Sequence, residues 1–228
     1  MSTTSLTPRN SLERTIGLTG IVSTVVLFAA TIAAATNEPE LNASTAEAAD
    51  FIRSLDTAWI PPVEATADIG MMGLLWFMVG LPLLLRRLEG EVPVRSTVAM
   101  LSAALVAAFV VLDAGSQAGA HRSSDLNDAV LAFAYDLEQI GFTNMWLPLG
   151  SFAFACGWLM VSTGAMPRWL GRWGMVAGSV LAVAQMVWET GIGWIPYLAV
   201  WLWLLTTSVL LVRRPMVGRL PIEEGNAS

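Results

Sequence analysis

Carboxylates are the groups in this chain whose placement suggests chemistry. Asp68, Asp113, Asp136, Glu138 and Glu189 each stand near the end of a long apolar run. His121, the sole histidine, falls in the same neighbourhood, with Arg122, Tyr135 and Asn144 as further hydrogen-bonding groups. An ionisable group at the rim of a hydrocarbon layer costs about 1–3 kcal/mol depending on depth, and usually faces water or a partner. Asp113 closes the unbroken apolar run 105–112, and Glu189 follows Val187 and Trp188, so these two are the least solvated. Brought together, carboxylates repel, raise one another's pKa and hold a proton or cation near neutral pH. Proton-coupled carriers use such a group, and a hard cation such as Ca²⁺ accepts the same oxygens. His121 can relay protons. The competing reading is that each acid simply ends its helix at the water interface, or pairs with Arg53 or Arg122.

Other chemistries are poorly served. A zinc site takes three protein ligands, and one histidine is a weak start toward one, so neither metal nor cofactor is expected. There is no lysine, which excludes a Schiff base or a lysine nucleophile. No His-Glu-x-x-His, Gly-x-Ser-x-Gly or phosphate-binding glycine loop occurs. Gly171, Gly174 and Gly178 belong to an apolar helix and not to a dinucleotide-binding turn. Cys156, the single cysteine, excludes an internal disulfide framework and reads as a buried, inert thiol. An enzyme is not expected. Nor is a nucleic-acid binder, because the net charge is −6 and no basic, aromatic-interleaved patch exists.

The acids need a scaffold, and composition supplies it. The chain is 55% hydrophobic and 13% charged, with ten tryptophans, as in a polytopic membrane protein. Apolar runs over about 15–36, 68–85, 96–114, 142–163, 174–189 and 195–212 predict six spans in an all-α transmembrane bundle. All twelve basic residues are arginine. Arg9, Arg14, Arg86, Arg87, Arg95, Arg168, Arg172, Arg213, Arg214 and Arg219 fall in one set of connections, and only Arg53 and Arg122 in the other. Cations near helix ends resist translocation, so both termini are expected in the cytoplasm of a bacterial plasma membrane. Span one is expected to be a retained helix, although Ala33-Ala34-Ala35 after it would also suit a cleaved signal.

Two long connections, 37–67 and 115–141, are then external. Ser44-Thr45-Ala46-Glu47 is a capping box ahead of Phe51, Ile52 and Leu55. Ser124 or Asp125 is expected to cap a second helix with Leu126, Val130, Phe133 and Leu137 on one stripe. Both read as amphipathic helices lying on the outer surface. Trp169, Trp173 and Trp194 are expected at the interface, Trp201 and Trp203 deeper. Gly174, Gly178 and Ala182 form a small-xxx-small ridge suited to tight packing inside one bundle, or to a homo-oligomer or protein partner. Ala99, Ala103 and Ala107 form another. The stretches from Asp68-Ile69-Gly70 to Asp113-Ala114-Gly115 and from Glu138 to Glu189-Thr190-Gly191 share a plan, which an ancestral duplication or the commonness of acid–glycine helix ends would both produce.

The segment Thr163-Gly164-Ala165-Met166-Pro167-Arg168-Trp169-Leu170-Gly171, with Ile140-Gly141-Phe142-Thr143 and Leu147-Pro148-Leu149 before it, resembles a pattern in small polytopic membrane proteins of high-GC Gram-positive bacteria, grouped as domains of unknown function. The resemblance covers roughly residues 130 to 190 and implies a six-helix membrane protein without implying catalytic residues. The expectation is a non-catalytic plasma-membrane protein in contact with the bilayer, binding a partner, lipid or small ligand. The alternative is a proton- or cation-coupled carrier of small solutes, in which Asp113 and Glu189 face each other.

Overall fold

In hydrocarbon, where water cannot satisfy backbone groups, runs of about twenty apolar residues resolve into helices. The computed structural model describes residues 8–34, 38–39, 43–55, 60–190 and 192–213. Among them the regular elements are helical: α1 (Pro8–Ala34), α2 (Thr45–Ser54), α3 (Ile60–Arg86), α4 (Val94–Ala120), α5 (Asp128–Asn144), α6 (Trp146–Thr163), α7 (Arg168–Ala184), a 3₁₀ segment (Gln185–Thr190) and α8 (Trp194–Arg213). Among the described residues six stretches are long and apolar enough to cross a membrane: Ser11–Ala33, Ala65–Arg86, Val94–Ala120, Asp128–Thr163, Arg168–Val187 and Trp194–Arg213. The protein is a multi-pass membrane protein.

The spans form a closed ring in chain order. α1 packs on α3, α3 on α4, α4 on α6, α6 on α7 and α7 on α8, which returns to α1. Short turns make neighbours antiparallel, so the bundle has an arginine end and an opposite end that carries α2 and α5, here called the cap end. The ring is filled. Phe77, Met78, Leu81, Phe152, Cys156, Leu159 and Trp203 are all buried inside it.

Two contacts fix the ring's tightest edges. Where α6 crosses α7, Gly150 and Gly178 bring the backbones together: a Cβ on Gly178 would stand 2.4 Å from the Gly150 oxygen, and one on Gly150 would stand 2.5 Å from the Gly178 oxygen. Gly157 and Gly171 repeat this one helical stretch away. The ridge of Gly174, Gly178 and Ala182 is thus occupied within the bundle. At the second edge, Gly174 leaves room for Trp203 of α8, whose Nε1 donates to the Leu170 oxygen at 3.0 Å. The α6–α7 turn itself needs Gly164, the left-handed residue (φ 67°) that ends α6.

The cap departs from expectation. α4 does not stop near Ala114 but continues to Ala120, and Gly115 and Gly119 of that extension pack closely on α5. The cap of α5 is neither Ser124 nor Asp125: Asn127 accepts from the Val130 N–H at 3.1 Å. α5 also does not lie flat and separate on the surface; it runs into α6 with Met145 alone between them. Pro148 explains the joint, since it has no N–H to return to the Asn144 carbonyl. The expected capping box of α2 is present, with Ser44 N–H on the Glu47 carboxylate at 2.8 Å and Glu47 N–H on Ser44 Oγ at 3.3 Å.

Candidate functional site

The face of α5 that packs inward is Leu131, Ala134, Tyr135 and Gln139, and not the stripe through Val130 and Phe133, which are exposed. Small and hydrogen-bonding residues sit inward because α2 and the end of α4 press directly on α5. Ala48, Ala49 and Ile52 of α2, Ala120 of α4, and Leu131 and Tyr135 of α5 share a second apolar core. Phe51 meets Tyr135 edge-on at 5.7 Å between ring centres. Arg53 bridges Asp50 (3.1 Å) and Asp128, tying α2 to the start of α5, although this exposed pair contributes little to stability.

This α5 face also grips the chain leaving α1. Tyr135 Oη donates to the Pro39 oxygen at 2.9 Å, and Gln139 Nε2 donates to the Glu38 carboxylate. Glu38, Glu138 and Asp136 all act electrostatically on Tyr135. Part of Glu38 remains exposed, but burial of its carboxyl against α5 raises its pKa, with the Gln139 hydrogen bond opposing. Tyr135→Phe should remove one hydrogen bond, worth about 1 kcal/mol. The expected result is roughly fivefold faster hydrogen exchange in α2, with α6 and α7 unchanged.

Of the acids singled out from sequence, the structure brings Asp136 and Glu138 into one group with Glu38. Asp136 is exposed and Glu138 half-buried. Asp68 is exposed on α3, and His121 is exposed where α4 ends, its backbone N–H donating to the Gln117 carbonyl oxygen at 3.0 Å. Asp113 lies on α4 and Glu189 on the 3₁₀ segment; their side chains are outside the described part of the structure. The arms that carry them do not pack together, because α6 stands between α4 and α7. Among the described residues no three His, Cys, Asp or Glu side chains are arranged to hold a metal ion.

Beneath the cap lies an aromatic cluster on the α5–α6 joint and the start of α8. Trp146 stacks on Tyr197 (5.8 Å) and meets Phe142 and Trp194 edge-on. Gly193 lets Trp146 in, since a Cβ there would stand 2.2 Å from its ring. Gln185 Nε2 donates to Asn144 Oδ1 at 2.8 Å, fastening the 3₁₀ segment to the same joint. An apolar groove of about 180 Å³ opens beside this cluster between Phe28 and Ile32 of α1 and Leu198 and Trp201 of α8.

The arginine end holds a polar constellation that sequence reading missed. Glu89, with a side chain 1% exposed, accepts from Arg95 N–H (2.7 Å), Arg95 Nε (3.0 Å) and Ser96 N–H (3.1 Å). Arg95 in turn donates to Ser162 Oγ at 2.6 Å and lies over the Trp158 ring at 5.3 Å. Burial pushes the Glu89 pKa up, but the hydrogen bonds from Ser96 and Arg95 outweigh it and hold the carboxyl below its usual range. The signal that could have found it is an acid a few residues before a helix start, where the helix dipole favours negative charge. Glu13, buried in α1, was missed as well.

Comparison with curated proteins and with solved structures finds no match. Residues 95–218, which begin at the Arg95 clamp and take in α5, the α6–α7 glycine contact and α8, match the domain of unknown function DUF4386 over more than half of the chain, and the protein belongs to that family.

Proposed function

We propose that this is a non-catalytic, multi-pass protein of a bacterial plasma membrane that binds a protein, lipid or small ligand at its cap end, with both termini cytoplasmic. The observation that carries this reading is the filled ring. A solute path along the bundle would have to pass Phe77, Phe152 and Trp203, all fully buried and interlocked, with Trp203 pinned to α7. Rigid packing of this kind suits a scaffold that presents a surface better than a carrier that opens to alternate sides. The surface on offer is the outward stripe of α5, where Val130, Phe133 and Ile140 remain exposed.

Flux in proteoliposomes loaded with a pH-sensitive dye tests the reading. Wild type is expected to show no proton or cation movement under imposed gradients. Flux that both Asp113→Asn and Glu189→Gln abolish, with folding intact, would instead make the protein a carrier. Orientation has its own test, because buried Cys156 leaves little labelling background. In intact cells, His121→Cys should react with an impermeant maleimide and Glu91→Cys should not. The reverse pattern would invert the topology.

A further inference from the structure

α7 has two sharply different faces. Leu170, Gly171, Gly174, Ala177, Gly178 and Leu181 are buried against α6 and α8. Arg168, Trp169, Arg172, Val176, Val180 and Val183 are exposed, and Trp173 is half-buried beside them. At 3.6 residues per turn, these outward positions fall within about 140° of the helix circumference. Along the axis they fall into two zones: two arginine–tryptophan pairs one turn apart, Arg168-Trp169 and Arg172-Trp173, with the indole rings 6.3 Å apart between centres, and then three valines.

That order matches one phospholipid read from head to tail. Neither arginine is held by an ion pair among the described residues, and α6, α7 and α8 contain no carboxylate to neutralise them. Indole rings favour the glycerol and carbonyl level of a bilayer. From Val176 to Val183 the helix rises about 10 Å, within the roughly 15 Å of hydrocarbon in a single leaflet.

We propose that the outer face of α7 is a binding site for an anionic glycerophospholipid: Arg168 and Arg172 hold the phosphate and its net charge, Trp169 and Trp173 flank the glycerol, and Val176, Val180 and Val183 carry an acyl chain. The site is independent of whatever the cap binds. A zwitterionic lipid offers the same tails and a phosphate, but its own cation competes with the arginines.

The test is native mass spectrometry of the full chain in mild detergent with phosphatidylglycerol or phosphatidylcholine of identical acyl chains. Wild type is expected to retain phosphatidylglycerol preferentially, and R168Q/R172Q to lose about tenfold in that retention. R168K/R172K, which keeps the charge, should preserve the preference. R86Q/R87Q, at the same end but where α3 gives way to its following turn, should change it less than twofold. Free glycerol phosphate at millimolar concentration should not displace the lipid, since it lacks the tail contacts. Equal retention of the two lipids by wild type, retention by R168Q/R172Q equal to wild type, an equal loss in R86Q/R87Q, or displacement by glycerol phosphate would each overturn the proposal.

Discussion

Gly178→Leu should lower the thermal midpoint by roughly 6–12 °C, the scale of a loss of about 3 kcal/mol in a chain of this size. Its Cβ alone would stand 2.4 Å from the Gly150 oxygen and 2.8 Å from the Phe154 nitrogen. Both are backbone atoms that no rotamer change can move. α6 and α7 would have to separate, and in a membrane no hydrophobic gain between helices compensates the lost close contact. Gly178→Ala meets the same oxygen and should lie between leucine and wild type. Val180→Leu, two residues on but facing outward, should leave the midpoint unchanged. Cys156 makes the measurement direct. It is fully buried on α6 beside Gly157, so a thiol-reactive fluorophore reports the opening of this interface. A leucine variant that labels at the wild-type temperature would mean that the two helices do not meet here.

That contact was legible in the sequence as a ridge of small residues, and the spans were legible as apolar runs. Both signals survive without tertiary information, since a bilayer fixes span length and only small residues let backbones touch. The capping box at Ser44 survives for the same reason: it is satisfied within four residues. The cap was less legible. Asp113, Ser116 and Gln117 lower the hydropathy of α4, so its helix seemed to end with its apolar run, yet Gly115 and Gly119 extend it by giving α5 a surface to pack on. On α5, Val130 and Phe133 formed the obvious apolar stripe. The packed face is instead built from Ala134, Tyr135 and Gln139, whose value lies in fit and hydrogen bonds and not in hydrophobicity. For the acids, sequence position gave depth along the bundle but not direction around it. Asp113 lies seven residues before the end of α4 and Glu189 at the end of the 3₁₀ segment, and their helical arms are separated by α6.

Glu89 belongs to a turn, where no periodicity marks a residue, and its removal should be among the costliest single changes at the arginine end. Glu89→Ala leaves two N–H groups at the start of α4 and the Arg95 guanidinium without their acceptor, a loss of about 2–4 kcal/mol. Glu89→Gln keeps an oxygen for the N–H groups but not the charge, and should cost about half as much. The pH dependence separates this ion from a neutral cap. The folded pKa of Glu89 lies below its ordinary value of 4.5, so between the two the unfolded chain binds more protons than the folded one. Stability from this group is therefore complete above about pH 4.5 and is lost as the pH falls through the folded value. Thermal unfolding followed by far-ultraviolet circular dichroism should show the wild-type and Glu89→Gln midpoints converging on acidification below pH 4.5. Parallel curves would mean that Glu89 acts through its shape alone. Convergence would instead identify the carboxylate as the anchor that lets Arg95 reach across to Ser162 and Trp158, joining the α3–α4 turn to the end of α6.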